Sequence, residues 1–368
     1  RLVGSEMCIR DRATGATVPL SEESGWLHLP LAVDGLGNPG ILIADAAIPP
    51  APTKADRGDW TDGFVPENDN EMVGGSVRLT WDLPTMSLVS ITAYDQFERN
   101  DSFDWDGTSV AFYDQVSDST IKSFSQELRL TSENAGPVNW IAGLYYSDDE
   151  VDDNYIADVS AASGSLGIFG TFGNRMQQDT TTYAAFGHVE WQLAEQWRLN
   201  LGGRFTREER GANSCSYDTD GGLALLFNLD LIDFDFGGTG DDLFLSSTPL
   251  AQGECVTVNL EQASIGTNPD GGTVIALGES ELFVDEFDVD NFSGKIGLDF
   301  LPNDNWLIYA SVGTGFKSGG YNGAAASTNF QLQPSSEEEL LAYELGFKAT
   351  LLDGTMQFNG AAFYYDYD

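Results

Sequence analysis

The sequence predicts an all-β protein: a transmembrane, antiparallel, up-and-down β-barrel, present in part as about ten strands. Three observations carry this. Apolar and polar residues alternate over many separate stretches. The connections between those stretches are alternately short and long. Five of the eight tryptophans stand beside the short connections.

The alternation is plain from Ser76 onward, where Val77, Leu79 and Trp81 share one face and Arg78, Thr80 and Asp82 the other. A two-residue period marks a strand with one apolar side. Phe124, Leu128 and Leu130 oppose Glu127 and Arg129. Leu199, Leu201 and Phe205 oppose Arg198 and Arg204. Phe292, Ile296 and Leu298 oppose Lys295, and Tyr343, Leu345 and Phe347 oppose Glu344 and Lys348. Strands are expected at 73–82, 86–98, 120–131, 138–148, 180–192, 197–209, 288–300, 305–316, 338–350 and 355–367.

Short connections fall at Leu83–Thr85, Glu133–Pro137, Leu193–Gln196, Leu301–Asp304 and Leu351–Gly354. Long ones fall near 99–119, 149–179, 210–287 and 317–337, and residues 13–72 form one more extracellular loop region ahead of the first strand. A soluble sandwich has no reason to keep every second loop tight, whereas an outer-membrane barrel has short periplasmic turns and long external loops. Trp81, Trp140, Trp191, Trp197 and Trp306 lie at the short-turn end and on the apolar face. That is where an indole half in lipid and half in water is favoured. The opposite face carries Arg78, Glu127, Arg129, His188, Glu190, Arg198, Arg204, Lys295, Glu344 and Lys348, charges suited to a polar lumen.

Composition sets bounds. With 58 acidic against 17 basic residues, the formal charge is −41. This excludes a generic nucleic-acid binder, which must release counterions from phosphates. No apolar run is long enough for a transmembrane helix. Residues 1–12 (RLVGSEMCIRDR) resemble translated sequencing adapter and are set aside, Cys8 with them. No nucleophile-elbow, zinc-protease or phosphate-loop sequence occurs, so an enzyme is not expected. His28 and His188 are the two histidines, and His188 reads as a polar lumen residue beside Glu190. Arg57-Gly58-Asp59 is too short a tripeptide to carry meaning.

Phe124–Ser132 (FSQELRLTS) with Trp140–Tyr146 (WIAGLYY), and Tyr183–Glu209, resemble mid-barrel hairpins of TonB-dependent receptors. The stretch 306–368 resembles that family's late barrel: WLIYASVGTGFKSGGYN, Pro334, EEELLAYELGFKATLLDG, then MQFNGAAFYYDYD. The resemblance covers about 73–368. It implies a fragment of a barrel of the 22-stranded type. The family's plug and TonB box have no match here, and residues 73–368 are expected to be the partial barrel domain.

The family implies energised uptake of a scarce ligand across the Gram-negative outer membrane, most often a ferric siderophore. Cobalamin, haem or oligosaccharide are alternatives, and a passive porin or adhesin-like barrel is the competing class. The implied partners are the TonB–ExbB–ExbD complex acting through the plug, outer-membrane lipid and lipopolysaccharide, and the small-molecule ligand. No intrinsic cofactor is expected, and iron enters only with the ligand. Contacts to ligand are expected from external loops and the upper lumen, with Trp105, Tyr113, Arg175, Tyr217, Phe316, Lys317 and Tyr321 as candidates; for Phe316–Tyr321 the favoured reading is that they shape a hairpin. Cys215 and Cys255 both fall in the longest loop, and a disulfide between them is expected on an oxidising export route. No CxxC spacing or neighbouring histidine suggests zinc. Loop 211–287 holds fourteen acidic residues and no lysine or arginine. It is read as a solvated acidic surface, with a bound divalent cation as the alternative. Asp104–Gly107 and Asp218–Gly221 are fragments of calcium-loop sequence that lack the remaining ligands.

Overall fold

The computed structural model describes residues 60–368 apart from 106, 108–110, 134–135, 161–168, 229–241, 245–248, 268–272 and 277, and also Ile9–Arg10 and Thr17–Val18, which pair as a ribbon. Much of the expected loop 13–72 therefore lies outside the described residues, as do His28 and Arg57–Asp59.

Ten strands form one sheet in chain order, each antiparallel to the next. They are β1 (Glu67–Asp82), β2 (Met86–Asp104), β3 (Asp114–Ser132), β4 (Val138–Asp158) and β5 (Thr171–Ala194). β6 (Trp197–Asp218), β7 (Phe283–Asn303), β8 (Trp306–Lys317), β9 (Glu338–Leu351) and β10 (Met356–Tyr367) complete it. All ten expected strands are present in order. A short helix, α1 (Gly222–Asn228), stands in the loop after β6.

Most strands are longer than the alternation suggested, and the large extensions of β1 to β6 lie at the end away from the tight turns. β4 continues from 148 to Asp158 and β5 begins at Thr171 rather than 180. β1 starts at Glu67, inside the expected loop, and the β2–β3 connection shrinks to 105–113. The reason is chemical. Beyond the apolar belt the outer face of β4 carries Asp148, Glu150, Asp152 and Asn154, so both faces are polar and the period-two signal vanishes. The backbone ladder does not need that signal and runs on, with Asp148 opposite Thr181 and Asn154 opposite Arg175. About ten residues suffice to cross the hydrocarbon. The 24-residue β5 therefore projects well into the medium.

Register fixes the two faces. Trp81 pairs with Leu88, Leu88 with Leu130, Leu130 with Ala142, and Trp191 with Leu199, which then faces Leu298. Leu79, Leu144, Leu201, Ile296 and Leu345 are exposed on this apolar outer face. Trp81, Trp191 and Trp197 are exposed there beside the tight turns, and Trp197 packs 4.7 Å from Phe300. Trp140 is half-buried at the same level, and Trp306 stacks 6.1 Å from Phe347. An exposed apolar band of this size is stable only against lipid.

Glycines are used to seat aromatic rings. Phe186 lies across Gly143, Tyr217 across Gly173, Tyr309 across Gly346 and Phe347 across Gly360, each pair directly opposite in register. A Cβ on Gly143 would lie 2.3 Å from the Phe186 ring. The ring thus covers the backbone of its neighbour and fills the gap the glycine leaves.

One tight turn is strained. Gly354 N–H donates to Leu351 O at 3.2 Å, and the two residues between, Leu352 and Asp353, have φ of 52° and 54°. Left-handed backbone costs a leucine about 1 kcal/mol or more, whereas asparagine tolerates it. Leu352→Asn is expected to stabilise the folded barrel by about 1 kcal/mol. The urea midpoint of the compact gel band checks this, and an unchanged or lower midpoint contradicts it.

Candidate functional site

The face opposite the tryptophans lines the lumen, and its upper part forms a mouth built from loops. The β8–β9 loop, 318–337, does not stay beside its own strands. Ala325 N–H donates to Tyr155 Oη on β4 at 2.7 Å, and Asn174 Nδ2 on β5 donates to Gly323 O at 3.0 Å. Ala326 N–H donates to Ser216 Oγ on β6 at 2.9 Å, and Thr257 Oγ1 from the β6–β7 loop donates to Ala326 O at 2.9 Å. Two loops thus interlock across the lumen face of β4–β6. Each loop amide taken from water is given a protein partner, as burial requires.

Two aromatic clusters sit under this roof. Tyr155, Ala157 and Val159 are buried with Tyr113, Phe169, Phe172 and Ala325 packed on them, and Tyr113 meets Phe172 edge-on at 6.3 Å. Tyr321 packs against Phe283 and Phe287 at 6.2 and 5.3 Å and donates its hydroxyl to Asp285 at 3.2 Å. Burial, and then the Asp285 carboxylate, push the Tyr321 phenol above its ordinary range, so it remains a donor. A cavity of about 330 Å³ opens beside the first cluster, lined by Phe169, Phe172, Leu223, Phe227, Val256 and Ala326.

The upper lumen is acidic and its cations are committed. Arg99 lies 3.2 Å from Asp153 and 3.3 Å from Asp101, and Ser119 also bonds Asp153. Arg210 pairs with Glu208 at 2.6 Å and reaches Ser318 at 3.3 Å, while Ser318 donates to Glu208. Lower down, two nitrogens of Arg198 converge on one oxygen of Asp299 at 2.9 and 2.7 Å. Arg129 lies 3.5 Å from Glu127, His188 3.9 Å from Glu190, and Tyr309 donates to Glu344. Among the described residues Arg78, Lys295 and Lys348 make no ion pair, and Arg204 lies between the rings of Tyr145 and Phe186 at 5.4 and 5.9 Å.

The seven expected ligand contacts do not form one site. Tyr113 and Tyr321 belong to the two clusters under the roof. Trp105 overhangs the lumen side, 64% exposed, with its indole N–H on Gln115 at 3.1 Å and Phe103 5.6 Å away. Lys317 reaches Glu338 at 3.5 Å at the exposed end of β8. Three residues are corrected to the outer face. Phe316 alternates with Lys317 and so shares the side of Val312 and Ile308. Arg175 stacks over Tyr217 at 5.7 Å, on the same side as Leu199 and Leu201, and touches Cys255 Sγ at 3.4 Å. Tyr217 donates to Asn154 at 2.8 Å on that outer side. Parity along β5 and β6 places Arg175 and Tyr217 there once the strands are known to extend so far.

Cys215 and Cys255 are joined, with Cα atoms 5.7 Å apart. Cys215 is not in the loop, as expected, but within β6, and Cys255 lies in a loop segment that pairs with the tip of β6. Val256 N–H donates to Ser216 O at 2.8 Å and Asp218 N–H to Glu254 O at 3.1 Å. This segment takes over the edge of β6 where β7 stops at Phe283. Among the described residues, no three histidine, cysteine, aspartate or glutamate side chains converge to hold a metal ion.

Asp220 ties two loops together. Its carboxylate accepts from Gly170 N–H at 2.6 Å, Thr171 N–H at 2.9 Å and Gly222 N–H at 2.8 Å. Partial burial alone would raise its pKa; the amide donors outweigh that and hold it below the ordinary carboxylate value. A depressed pKa stabilises the folded form above the ordinary aspartate range and stops doing so as pH falls through the lowered value. Amide exchange at Gly170 and Thr171, corrected for intrinsic rate, is expected to quicken on that acid descent. In Asp220→Asn, which keeps one acceptor, exchange is expected to be faster at neutral pH and flat with pH. A pH-dependent Asn variant contradicts the assignment.

The comparisons agree with this geometry. Residues 28–368 match the family described as TonB dependent receptor-like, β-barrel. The ferric yersiniabactin uptake receptor FyuA of Yersinia pestis shares the fold with a TM-score of 0.59 at 16% identity, over 83% of this chain and 37% of that one. The siderophore receptor PiuA of Acinetobacter baumannii gives 0.52 at 15% identity, over 86% of this chain and 43% of that one. The chain spans about two-fifths of the length of these receptors. The match over most of the chain, the ten-stranded sheet and the two-sided register together show that it belongs to the TonB-dependent receptor β-barrels of the Gram-negative outer membrane.

Proposed function

We propose that the receptor takes up a ferric siderophore, with TonB–ExbB–ExbD supplying energy through a plug domain. The observation that carries this is the roofed mouth. Loops 219–282 and 318–337 interlock over the lumen and hold aromatic surfaces, Tyr113–Phe172 and Tyr321–Phe287, beneath them. An open porin needs a clear mouth; a receptor that grips a scarce ligand needs a concave, partly apolar one with a few polar groups. FyuA and PiuA, whose fold this chain shares, are named for ferric yersiniabactin uptake and as a siderophore receptor. Iron is cargo in this reading and not a resident cofactor.

The test is binding and uptake of radiolabelled iron carried by a panel of catecholate, hydroxamate and carboxylate siderophores. The receptor is expected to bind at least one saturably and to import it only when the proton gradient is intact. Saturable binding of cobalamin, haem or an oligosaccharide with no ferric siderophore bound would replace the ligand but keep the transport class. Passage of solutes after the gradient is collapsed would instead indicate a passive barrel.

A further inference from the structure

The cavity of about 330 Å³ under the roof stands at the tips of β4–β6, far from the membrane. Val159, just past the end of β4, is 19 residues beyond Trp140 at the periplasmic interface. About ten of those residues cross the hydrocarbon. The rest, at about 3.3 Å each and tilted near 45°, carry the cavity roughly 20 Å above it. The cavity therefore belongs to the external loops and stands clear of the stretch of lumen wall that a plug fills.

Its wall is carbon. Phe169 and Phe172 stand at the start of β5, Leu223 and Phe227 on α1, and Val159 and Val256 close the sides. Among the described residues no charged side chain lines it, although the loop 211–287 that forms one wall holds fourteen acidic residues. Asp218 and Asp220, just ahead of α1, are turned onto backbone instead. Asp218 accepts from Leu223 N–H at 3.0 Å, and Asp220 accepts from Gly170, Thr171 and Gly222 N–H. These bonds pin α1 to the start of β5 and hold the two sides of the cavity together. The polar groups of the lining are spent in the same way. Ser216 Oγ accepts from Ala326 N–H and donates to Asn174 at 3.4 Å, Ala325 N–H donates to Tyr155, and Ala326 O accepts from Thr257. What faces the space is apolar.

An anionic iron centre entering such a space would lose its hydration and find no donor or cation in return. An aromatic ring loses nothing, and three phenylalanines offer it edge and face contacts. The volume is at the lower end of the range for small-molecule pockets, so it suits one arm of a ligand and not a whole ferric complex. We propose that the cavity seats an uncharged aromatic arm of the ligand, one that does not itself hold the iron. The inference rests on the siderophore reading above and narrows it to ferric complexes that carry such an arm, with the iron centre held outside the cavity.

The probes are matched pairs of radiolabelled ferric complexes, one pair each of catecholate, hydroxamate and carboxylate type. The members of a pair differ only in whether a side arm ends in a phenyl or a methyl group. Saturable binding to receptor in outer-membrane vesicles is expected to be about tenfold or more tighter for the phenyl-capped member of the pair that binds. Leu223→Asp, which places a carboxylate on the wall, should abolish that preference and leave the methyl-capped member unchanged. Leu223→Met, of similar volume, should keep it. Leu225→Asp adds the same charge to the same helix at an exposed position outside the cavity, and should also keep it. The compact gel band and the rate of proteolysis within 249–282 confirm that each variant is folded. Equal binding of both members of every pair that binds overturns the proposal and leaves the uptake reading standing; another part of the chain filling the cavity would give that result. A preference that survives Leu223→Asp, or is lost equally in Leu225→Asp, overturns it too, because the ring then sits elsewhere. If no ferric complex binds saturably, the siderophore reading falls and this inference with it.

Discussion

Gly346→Val is expected to destabilise the barrel by about 1–3 kcal/mol, the usual cost of forcing extra atoms into a filled position. A Cβ at 346 would fall 2.5 Å from the ring and hydroxyl of Tyr309, which lies across Gly346 from directly opposite on β8. The ring can yield only by swinging into the lumen, and its hydrogen bond to Glu344 goes with it. Glu344 then keeps its charge but loses a donor, which adds to the cost. The urea midpoint of the compact band reads the effect. The mechanism makes a second demand: Gly346→Val combined with Tyr309→Ala must recover most of the loss, because the valine then occupies the space the ring has left. If the double variant is no more stable than Gly346→Val alone, the ring-on-glycine contact is not what the substitution disturbs. The same logic applies to Phe186 over Gly143. There the displaced ring would also lose its contact with the Arg204 guanidinium, 5.9 Å away.

What the sequence revealed, and what it hid, follows from the solvent on each side of the sheet. Within the bilayer one face must be apolar and the other polar, so residues such as Val77, Leu79 and Trp81 against Arg78 and Thr80 announce both the strand and its orientation. Above the bilayer both faces meet water. Glu150 and Asp152 on the outside of β4 look no different from Asp149 and Asp153 on the inside. The strand continues unseen. That single loss of signal accounts for most of the misplaced candidate residues. With β5 and β6 ended too early, Arg175 and Tyr217 read as loop residues free to face a ligand and Cys215 as a loop cysteine, when parity holds all three on the outer side. Tyr155 was missed for the same reason: counted on from Tyr145, it falls on the lumen face and meets the loop roof. The roof itself had no local signature. Ala325 and Ala326 are ordinary loop alanines until their amides meet Tyr155 and Ser216, far away in the chain. The lumen charges were legible one by one, but which of them stand side by side depends on register between strands, and register across a long loop such as 219–282 cannot be counted from sequence.

Cutting the Cys215–Cys255 bond is expected to free the β6–β7 loop while leaving the membrane-spanning sheet intact. The bond closes a separation of 40 residues, for which chain entropy gives about 4 kcal/mol. What remains on the β6 side after Cys255→Ser is a short ladder: Val256 to Ser216, Asp218 to Glu254, Gly253 to Asp218, Gln252 to Thr219, and Ser216 N–H to Thr257 Oγ1 at 3.0 Å. Each such bond contributes about 1 kcal/mol net, and ordering the segment costs a similar amount per residue, so the ladder alone does not hold it. The loop should then open, and because Thr257 anchors Ala326, the β8–β9 roof should loosen with it. Limited proteolysis is the direct measurement. If opening and reclosing are fast relative to cleavage, the cut rate within 249–282 follows the open population and should rise by up to about a thousandfold. Treatment of the unaltered receptor with a reductant should reproduce the effect at a slower onset, because Cys215 is fully buried and Cys255 nearly so. The compact band, which reports the sheet, should be unchanged in both cases. Cleavage at the original rate after complete reduction would mean that the ladder to β6 and the bonds to the β8–β9 loop suffice to hold the segment, and that the covalent bond is redundant once the loop has folded. A second readout separates loop from roof: new cuts within 318–337 are expected in Cys255→Ser only if the two loops open together, as their shared bonds through Thr257 and Ser216 require.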